Sequence, residues 1–276
     1  MKRLNCKLIV SDYDGTLANS NNTVDTRTVE AINEYVRDGG VFAVCTGRIL
    51  PFILPVVRGL ALSGLVVASQ GSQIADIKTG KVIRDVCFTP EQTAKICAVL
   101  EELETNVQVY DAQGFYSSLP EDEKHLNLYE NIIGVTARHT CVPYSEYVIK
   151  NKLRCNKVAT LCRANEQEEL FGKINARLGG EFDVTCSASV LIEVSPLNET
   201  KGSALKFLAA HYGVPMEKTC AVGDNLNDLS MVEAAGVGVA VGNAVKGLKD
   251  KADFVAATND EGAVAQVIKK FGYSND

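Results

Sequence analysis

The stretch that most constrains this chain is a short apolar run, Cys6-Lys7-Leu8-Ile9-Val10, that gives out into Ser11-Asp12-Tyr13-Asp14-Gly15-Thr16-Leu17. A continuous apolar run of this length reads as a buried strand. Two carboxylates two residues apart at the end of such a strand are costly unless a cation, a hydrogen-bond donor or a proton meets them. In a parallel α/β sheet, the carboxyl end of a strand is also where ligands bind. Asp12 and Asp14 are therefore candidates for holding a cation beside a reacting group. The competing reading is a solvated Asx-type turn.

The same pattern returns along the chain. Val41-Phe42-Ala43-Val44-Cys45 is a second apolar strand and exits into Thr46-Gly47-Arg48. The Thr46 hydroxyl suits a phosphate oxygen, and equally the cap of a following helix. Arg48 suits an anion or the open surface. Gly64-Leu65-Val66-Val67-Ala68 exits into Ser69-Gln70-Gly71-Ser72. Helices over 25–37 and 51–62 separate these strands, which reads as successive βαβ units. Later, Lys201 opens a helix that runs to about Tyr212. A lysine opposes the macrodipole at that end, so either a nearby anion or carboxylate cluster answers it or water does. Thr219-Cys220-Ala221-Val222 exits into Gly223-Asp224-Asn225-Leu226-Asn227-Asp228, a further strand end that is acidic like the first, where Asn227 and Asp228 also have a capping reading.

Between about Lys81 and Val194 the strands alternate and become half-exposed. A helix over 90–104, a hairpin across Asp111-Ala112-Gln113, a strand within 153–162, a helix over 165–178 and two strands over 182–186 and 190–194 read as an antiparallel α+β module. The expected organisation is a Rossmann-like, doubly wound parallel α/β core over 1–82 and 195–276. A second α/β domain, which the family resemblance given below makes the cap domain, is expected as an insert at 83–194.

Composition narrows the function classes. A net charge of −6 lacks the basic face of a general nucleic-acid binder. No apolar run reaches the roughly 18 residues of a membrane span, and no signal peptide is expected before the first strand. The nine cysteines are odd in number and form no C-x-x-C pair, which reads as reduced thiols of a cytoplasmic protein without a zinc site.

Asp12-Tyr13-Asp14-Gly15-Thr16-Leu17, Thr46-Gly47-Arg48, Lys201-Gly202 and Gly223-Asp224-Asn225-Leu226-Asn227-Asp228 follow the order and spacing of the haloacid dehalogenase-like phosphatases. The large insert and the endings Gly242-Asn243-Ala244 and Asn259-Asp260-Glu261-Gly262 resemble the Cof-type branch. The resemblance runs nearly end to end. It departs at Gln70-Gly71-Ser72, where the family usually has Asn-Gly-Ala, and at Asn198-Glu199.

The resemblance implies a Mg²⁺-dependent hydrolase of small phosphomonoesters such as sugar phosphates, nucleotides or phosphorylated cofactors. It implies Asp12 as the nucleophile that forms an aspartyl-phosphate and Asp14 as general acid and then base. Thr46, Gly47, Arg48, Lys201 and Asn227 would hold the substrate. The Mg²⁺ ligands map to the Asp12 carboxylate, the Asp14 carbonyl, Asp224 and, through water, Asp228. Tyr110, His125, Tyr129 and Arg138 are candidates for contacting the leaving group. The expected partner is a small phosphorylated metabolite, without nucleic acid or membrane, for a monomer or weak homodimer. A phosphomutase of the same fold and a non-enzymatic phosphate-ligand-binding module stay open as alternatives.

Overall fold

The computed structural model describes residues 4–121, 123–133, 135–140, 142–188 and 190–274. The chain begins with β1 (Leu8–Ser11), α1 (Thr26–Arg37), β2 (Val41–Cys45), α2 (Leu50–Gly59), β3 (Leu65–Ala68), β4 (Gln73–Asp76) and β5 (Val82–Asp85). It continues through α3 (Pro90–Glu102), β6 (Gln108–Asp111), β7 (Gly114–Ser117), α4 (Lys124–Ile133), α5 (Tyr144–Lys150), β8 (Lys157–Leu161), α6 (Gln167–Leu178), β9 (Phe182–Ala188) and β10 (Leu191–Pro196). It ends with α7 (Lys201–His211), β11 (Thr219–Gly223), α8 (Leu229–Ala234), β12 (Val237–Ala240), α9 (Lys246–Lys249), β13 (Phe254–Val255) and α10 (Ala263–Val267).

The first sheet has the order β13-β12-β11-β1-β2-β3-β4-β5. All pairs from β13 to β3 are parallel, while β4 and β5 join antiparallel at the edge. Strands after β1 build outward to one side, and the returning strands build outward to the other. That reversal makes β1 and β11 the switch point, where a crevice opens at the carboxyl ends of the strands.

The apolar strands are continuous because both faces of this sheet are covered. Leu8 and Val10 face Leu205 and Leu208 of α7 and Met231 of α8. Ile9, Val44 and Val222 face Ile32 and Tyr35 of α1, Ile53 of α2 and Val267 of α10. Each such side chain, fully buried, contributes about 1.5–3 kcal/mol. The helix starts are fixed by capping. Asp25 accepts from the Arg27 amide at α1, and Thr89 and Thr200 form capping boxes with Gln92 and Ser203 at α3 and α7.

The second sheet, β7-β6-β8-β10-β9, is antiparallel throughout. One face carries Val109, Val158, Ile192 and Val194 against Ile96 and Leu100 of α3, Val148 of α5 and Ile174 of α6. The other face carries Tyr110, Ala159, Leu161 and Leu191, and meets Ile49 and Phe52 at the start of α2. The period-two alternation of these strands thus points one set of side chains at the inserted helices and the other at the first sheet's loops.

Three details differ from the sequence reading. The first sheet has two edge strands that the sequence reading does not name, β4 and β5, which pair antiparallel. The second sheet extends to Pro196 rather than 194. Helices α4 and α5 were not anticipated. Among the described residues, no helix is long and apolar enough to cross a membrane.

Candidate active site

Four loops at the switch point bring the expected residues together. The Asp12 amide donates to the Val222 carbonyl (2.9 Å), so the Asp12 loop leaves the sheet tied to β11. The chain then turns through Tyr13–Leu17, with Gly15 at φ 73°. A Cβ on Gly15 would stand 2.7 Å from Asp224 Oδ2, so only glycine permits both the turn and the approach of Asp224. Thr16 Oγ1 donates to Asp224 Oδ1 (2.9 Å). Asn243 Nδ2 donates to the Gly15 carbonyl (2.8 Å) and Asn259 Nδ2 to the Ala18 carbonyl (2.9 Å). The two endings quoted above therefore buttress the Asp12 loop.

We expect Gly15→Ala to lower kcat/KM by about tenfold or more. A single misplacement of about 1 Å near reacting groups already costs roughly a hundredfold. Wild-type kcat/KM in this variant would show that the close approach does not matter.

Lys201 is the first residue of α7, and its side chain is fully buried. Its ammonium lies 2.7 Å from Asp12 Oδ1 and 2.6 Å from Asp228 Oδ1. The second Asp228 oxygen accepts from the Asp224 and Asn225 amides (2.9 and 3.0 Å). Two carboxylates thus answer the lysine at a helix end that repels it. Asp12, Asp224 and Asp228 each place an oxygen within 4.8 Å of the others.

Crowding in this cluster is legible in its acidities. Burial, with Asp228 and Asp224 adding to it, pushes the Asp12 carboxyl well up, while Lys201 pulls it back. Burial and Asp228 push Asp224 up to about 6, against the Thr16 hydrogen bond. Burial works against the charged form of Lys201, but Asp12 and Asp228 outweigh it and raise its pKa. The three carboxylates are short of positive charge with one ammonium between them, and their hard oxygen donors suit Mg²⁺.

Asp14 stands at the mouth of the crevice with 47% of its side chain exposed. Arg48 grips it in a fork, from Nε to Oδ2 (2.9 Å) and from Nη2 to Oδ1 (2.5 Å), and also donates to Asn22 Oδ1 (3.1 Å). The guanidinium is thus engaged with Asp14. Thr46 is buried, and its hydroxyl accepts from the Arg48 amide (3.2 Å). Asn227 Nδ2 donates to Gln70 Oε1 (3.2 Å), while its own Oδ1 is buried without a hydrogen-bond partner.

Between the two sheets lies a cavity of about 210 Å³, lined at its base by Asp12, Asp14, Thr46, Gly47, Arg48 and Asn227. Its upper wall includes Tyr110, Leu161, Leu191, Lys157 and Glu193. Lys157 and Glu193 escaped the sequence reading. Lys157 Nζ donates to Glu193 Oε1 (2.5 Å) and to the Gly47 carbonyl (2.8 Å), and Gln70 Nε2 donates to Glu193 Oε2 (2.5 Å). Of the anticipated leaving-group residues, Tyr110 is in this wall. Arg138 is not: it pairs with Asp111 (2.6 Å) and covers the Tyr116 ring. His125 and Tyr129 fall in α4, and their side chains lie outside the described residues. A larger groove of about 720 Å³ on the inserted unit, lined by residues such as Glu101, His139 and Tyr144, contains none of this acidic cluster.

The family model of the haloacid dehalogenase-like hydrolases matches residues 9–268. The chain belongs to this family. Phosphatase YwpJ from Bacillus subtilis strain 168 is 31% identical, over 95% of this chain and 99% of the relative. A second B. subtilis relative, 5-amino-6-(5-phospho-D-ribitylamino)uracil phosphatase YcsE, is 30% identical over 95% of this chain and 94% of its own length. The solved structure of a B. subtilis haloacid dehalogenase-like hydrolase superposes with a TM-score of 0.84 at 28% identity, covering 96% of this chain and 99% of that one. This haloacid dehalogenase-like hydrolase is a phosphoric monoester hydrolase, with the Rossmann-like core expected from the strand pattern.

Proposed function

We propose that this phosphatase hydrolyses small phosphomonoesters through an aspartyl-phosphate on Asp12, with Mg²⁺ held by Asp12, the Asp14 carbonyl, Asp224 and, through water, Asp228. The observation that carries this reading is the Asp12–Lys201–Asp228 arrangement at the switch point, with Asp224 beside it. When bound, Mg²⁺ supplies positive charge that offsets repulsion between carboxylate and phosphate and polarises the phosphoryl oxygens.

The chain's own residues do the rest. Asp12 is buried and fixed by Lys201, so its carboxylate is oriented and its position does not depend on solvent. It attacks phosphorus, and the ester oxygen leaves. Asp14, at the crevice mouth, gives that oxygen a proton and afterwards takes one from the water that cleaves the acyl-phosphate. Arg48 places Asp14 for this work through its two-pronged grip. Thr46, the Gly47 loop, Lys201 and Asn227 hold the phosphoryl oxygens. The orphaned Asn227 Oδ1 belongs to an amide whose Nδ2 is free to leave Gln70 for such an oxygen. Phosphoryl transfer needs chiefly such positioning and charge stabilisation. The second sheet acts as a cap that keeps bulk water from the first step.

Related phosphatases act on substrates as large as a phosphoribitylamino-uracil, so a small phosphorylated metabolite is the substrate class proposed. EDTA should stop turnover and Mg²⁺ should restore it, while Ca²⁺ should not. Calcium seeks more ligands at about 2.3–2.6 Å, against about 2.0–2.1 Å for magnesium, and would hold the Asp12 carboxylate in a way that spoils its attack. Phosphate release from a panel of sugar phosphates, nucleotides and phosphorylated cofactors tests this directly. Full turnover in EDTA, with no metal retained, would defeat the metal assignment. Isomerisation of a sugar phosphate without phosphate release would favour the phosphomutase alternative.

A further inference from the structure

The loop that follows β3 holds a conformation that its residues do not favour. Ser69, Gln70 and Gly71 have φ of 49°, 60° and 124°. Glycine takes such values readily, but serine and glutamine take them only where surrounding contacts fix them. A residue held in this way points to a functional constraint. The fixing contacts are present. The Ser69 amide donates to the Arg48 carbonyl (2.8 Å) and the Gln70 amide to the Thr46 carbonyl (3.1 Å). A Cβ on Gly71 would stand 2.5 Å from the Thr200 carbonyl oxygen, so the loop is also pressed against the start of α7.

This conformation sends the buried Gln70 side chain across Gly47. A Cβ on Gly47 would stand 2.5 Å from Gln70 Nε2, so the passage is open because residue 47 is glycine. On one side Gln70 Nε2 donates to Glu193 Oε2 of β10 (2.5 Å). On the other, Gln70 Oε1 accepts from Asn227 Nδ2 in the loop after β11 (3.2 Å). One amide thus joins the second sheet to Asn227.

The direction of these bonds is forced. Glu193 is paired with Lys157 (2.5 Å), and a carboxylate only accepts. Gln70 must therefore turn Nε2 toward Glu193 and Oε1 toward Asn227. Facing an oxygen, Asn227 answers with Nδ2, and its Oδ1 is left buried without a partner. An unpaired buried acceptor is unfavourable. A half-turn of both amides would relieve it by giving Gln70 Nε2 to Asn227 Oδ1. The carboxylate on the other sheet prevents that half-turn.

We infer that Glu193 and Gln70 are positioning residues that set the direction of the Asn227 amide. The chain of carboxylate and two amides keeps an N–H ready for the phosphoryl oxygens, which a carbonyl oxygen in its place would repel. The inference rests on the phosphatase reading, in which Asn227 holds those oxygens. It adds that the donor is set only while the second sheet is seated on the Gly47 loop, because Glu193 belongs to that sheet.

The test is a double-mutant cycle of Gln70→Asn and Asn227→Ala. It reads kcat/KM for para-nitrophenyl phosphate and the inhibition constant of inorganic phosphate, with Mg²⁺ present. Asparagine suits the backbone at position 70 better than glutamine, but its shorter side chain does not reach both partners. Alone, Gln70→Asn should lower kcat/KM and weaken phosphate binding by about tenfold each, the scale of one hydrogen bond. In the Asn227→Ala background it should change either quantity by less than about twofold, because the residue it positions is gone. Equal losses in both backgrounds would make Gln70 a structural residue only and overturn the proposal. Wild-type values in Gln70→Asn alone, or in Asn227→Ala alone, would also overturn it. Gln70→Leu, which keeps the length and removes the amide, should repeat the result. If neither Gln70 variant folds, Glu193→Gln decides: its own amide no longer dictates a direction, and its losses should likewise vanish without Asn227. Phosphate release by the wild type with additive losses in the cycle refutes only this inference. No release from any ester refutes the phosphatase reading and this inference with it.

Discussion

Asp12→Asn should remove turnover, by at least about a thousandfold in kcat, the scale seen when a nucleophile is deleted from an intact site. An amide cannot form the acyl-phosphate, and asparagine is nearly isosteric with aspartate. The same change should raise the melting temperature of the metal-free protein at neutral pH. Burial and the neighbouring carboxylates raise the Asp12 pKa, so ionised Asp12 costs more in the folded than in the unfolded chain. That cost is fully present above the folded pKa and falls away as pH drops from the folded to the unfolded value. The amide does not carry it at any pH, and each kcal/mol recovered shifts the transition by about 2–4 °C. Thermal unfolding in EDTA and steady-state kinetics in Mg²⁺ read the two effects separately. Turnover within about tenfold of wild type, far short of the loss expected for a nucleophile, would remove Asp12 from the role. A large fall in melting temperature would mean that the lost activity reflects lost fold.

Lys201→Ala should act in the opposite direction on stability and the same direction on turnover. Its ammonium is the described cation that touches both Asp12 and Asp228. Without it, three buried or half-buried carboxylates within 4.8 Å face one another. Removing one partner of a buried ion pair costs about 3–5 kcal/mol. The melting temperature in EDTA should therefore fall, by about 2–4 °C per kcal/mol lost, and Mg²⁺ should restore a larger part of it than in the wild type. Turnover should drop on every ester by a similar factor, because in the proposed mechanism Lys201 acts on the phosphoryl group that all of them share. A loss confined to some esters, or an unchanged melting temperature in EDTA, would contradict this assignment.

The parallel core was legible because its strands are buried on both faces and so read as unbroken apolar runs that end in polar, glycine-containing loops. β1, β2, β3 and β11 were all visible in this way. The edge strands β4 and β5 were not, since Gln73-Ile74-Ala75-Asp76 is short and Val82 and Ile83 are exposed, which leaves no clear apolar pattern. The acidic cluster was legible as two acidic strand ends, after β1 and β11, although only the sheet order brings Asp12 and Asp228 onto one lysine. The Lys157–Glu193 pair was hidden for a different reason. On alternating strands a lysine and a glutamate read as a solvated face. Their burial follows only once β8 and β10 are paired and that face is turned toward Gly47 and Gln70. Gln70 stood out in the sequence as a departure from the family pattern. Its φ of 60° is a backbone region that asparagine adopts more readily than glutamine, and the longer amide spans from Asn227 to Glu193.

The account turns on a covalent bond between Asp12 and phosphorus. The most direct measurement is an acid quench during turnover in Mg²⁺, followed by mass spectrometry of the intact protein and its peptides. Asp14→Asn should be run beside the wild type, because the loss of the base that activates water should let the intermediate accumulate. The account predicts one phosphoryl group on the protein, mapped to Asp12, more abundant in Asp14→Asn and absent from Asp12→Asn. Phosphoryl mapped to another residue, or full-rate turnover with none at Asp12 at any quench time in either protein, would contradict it.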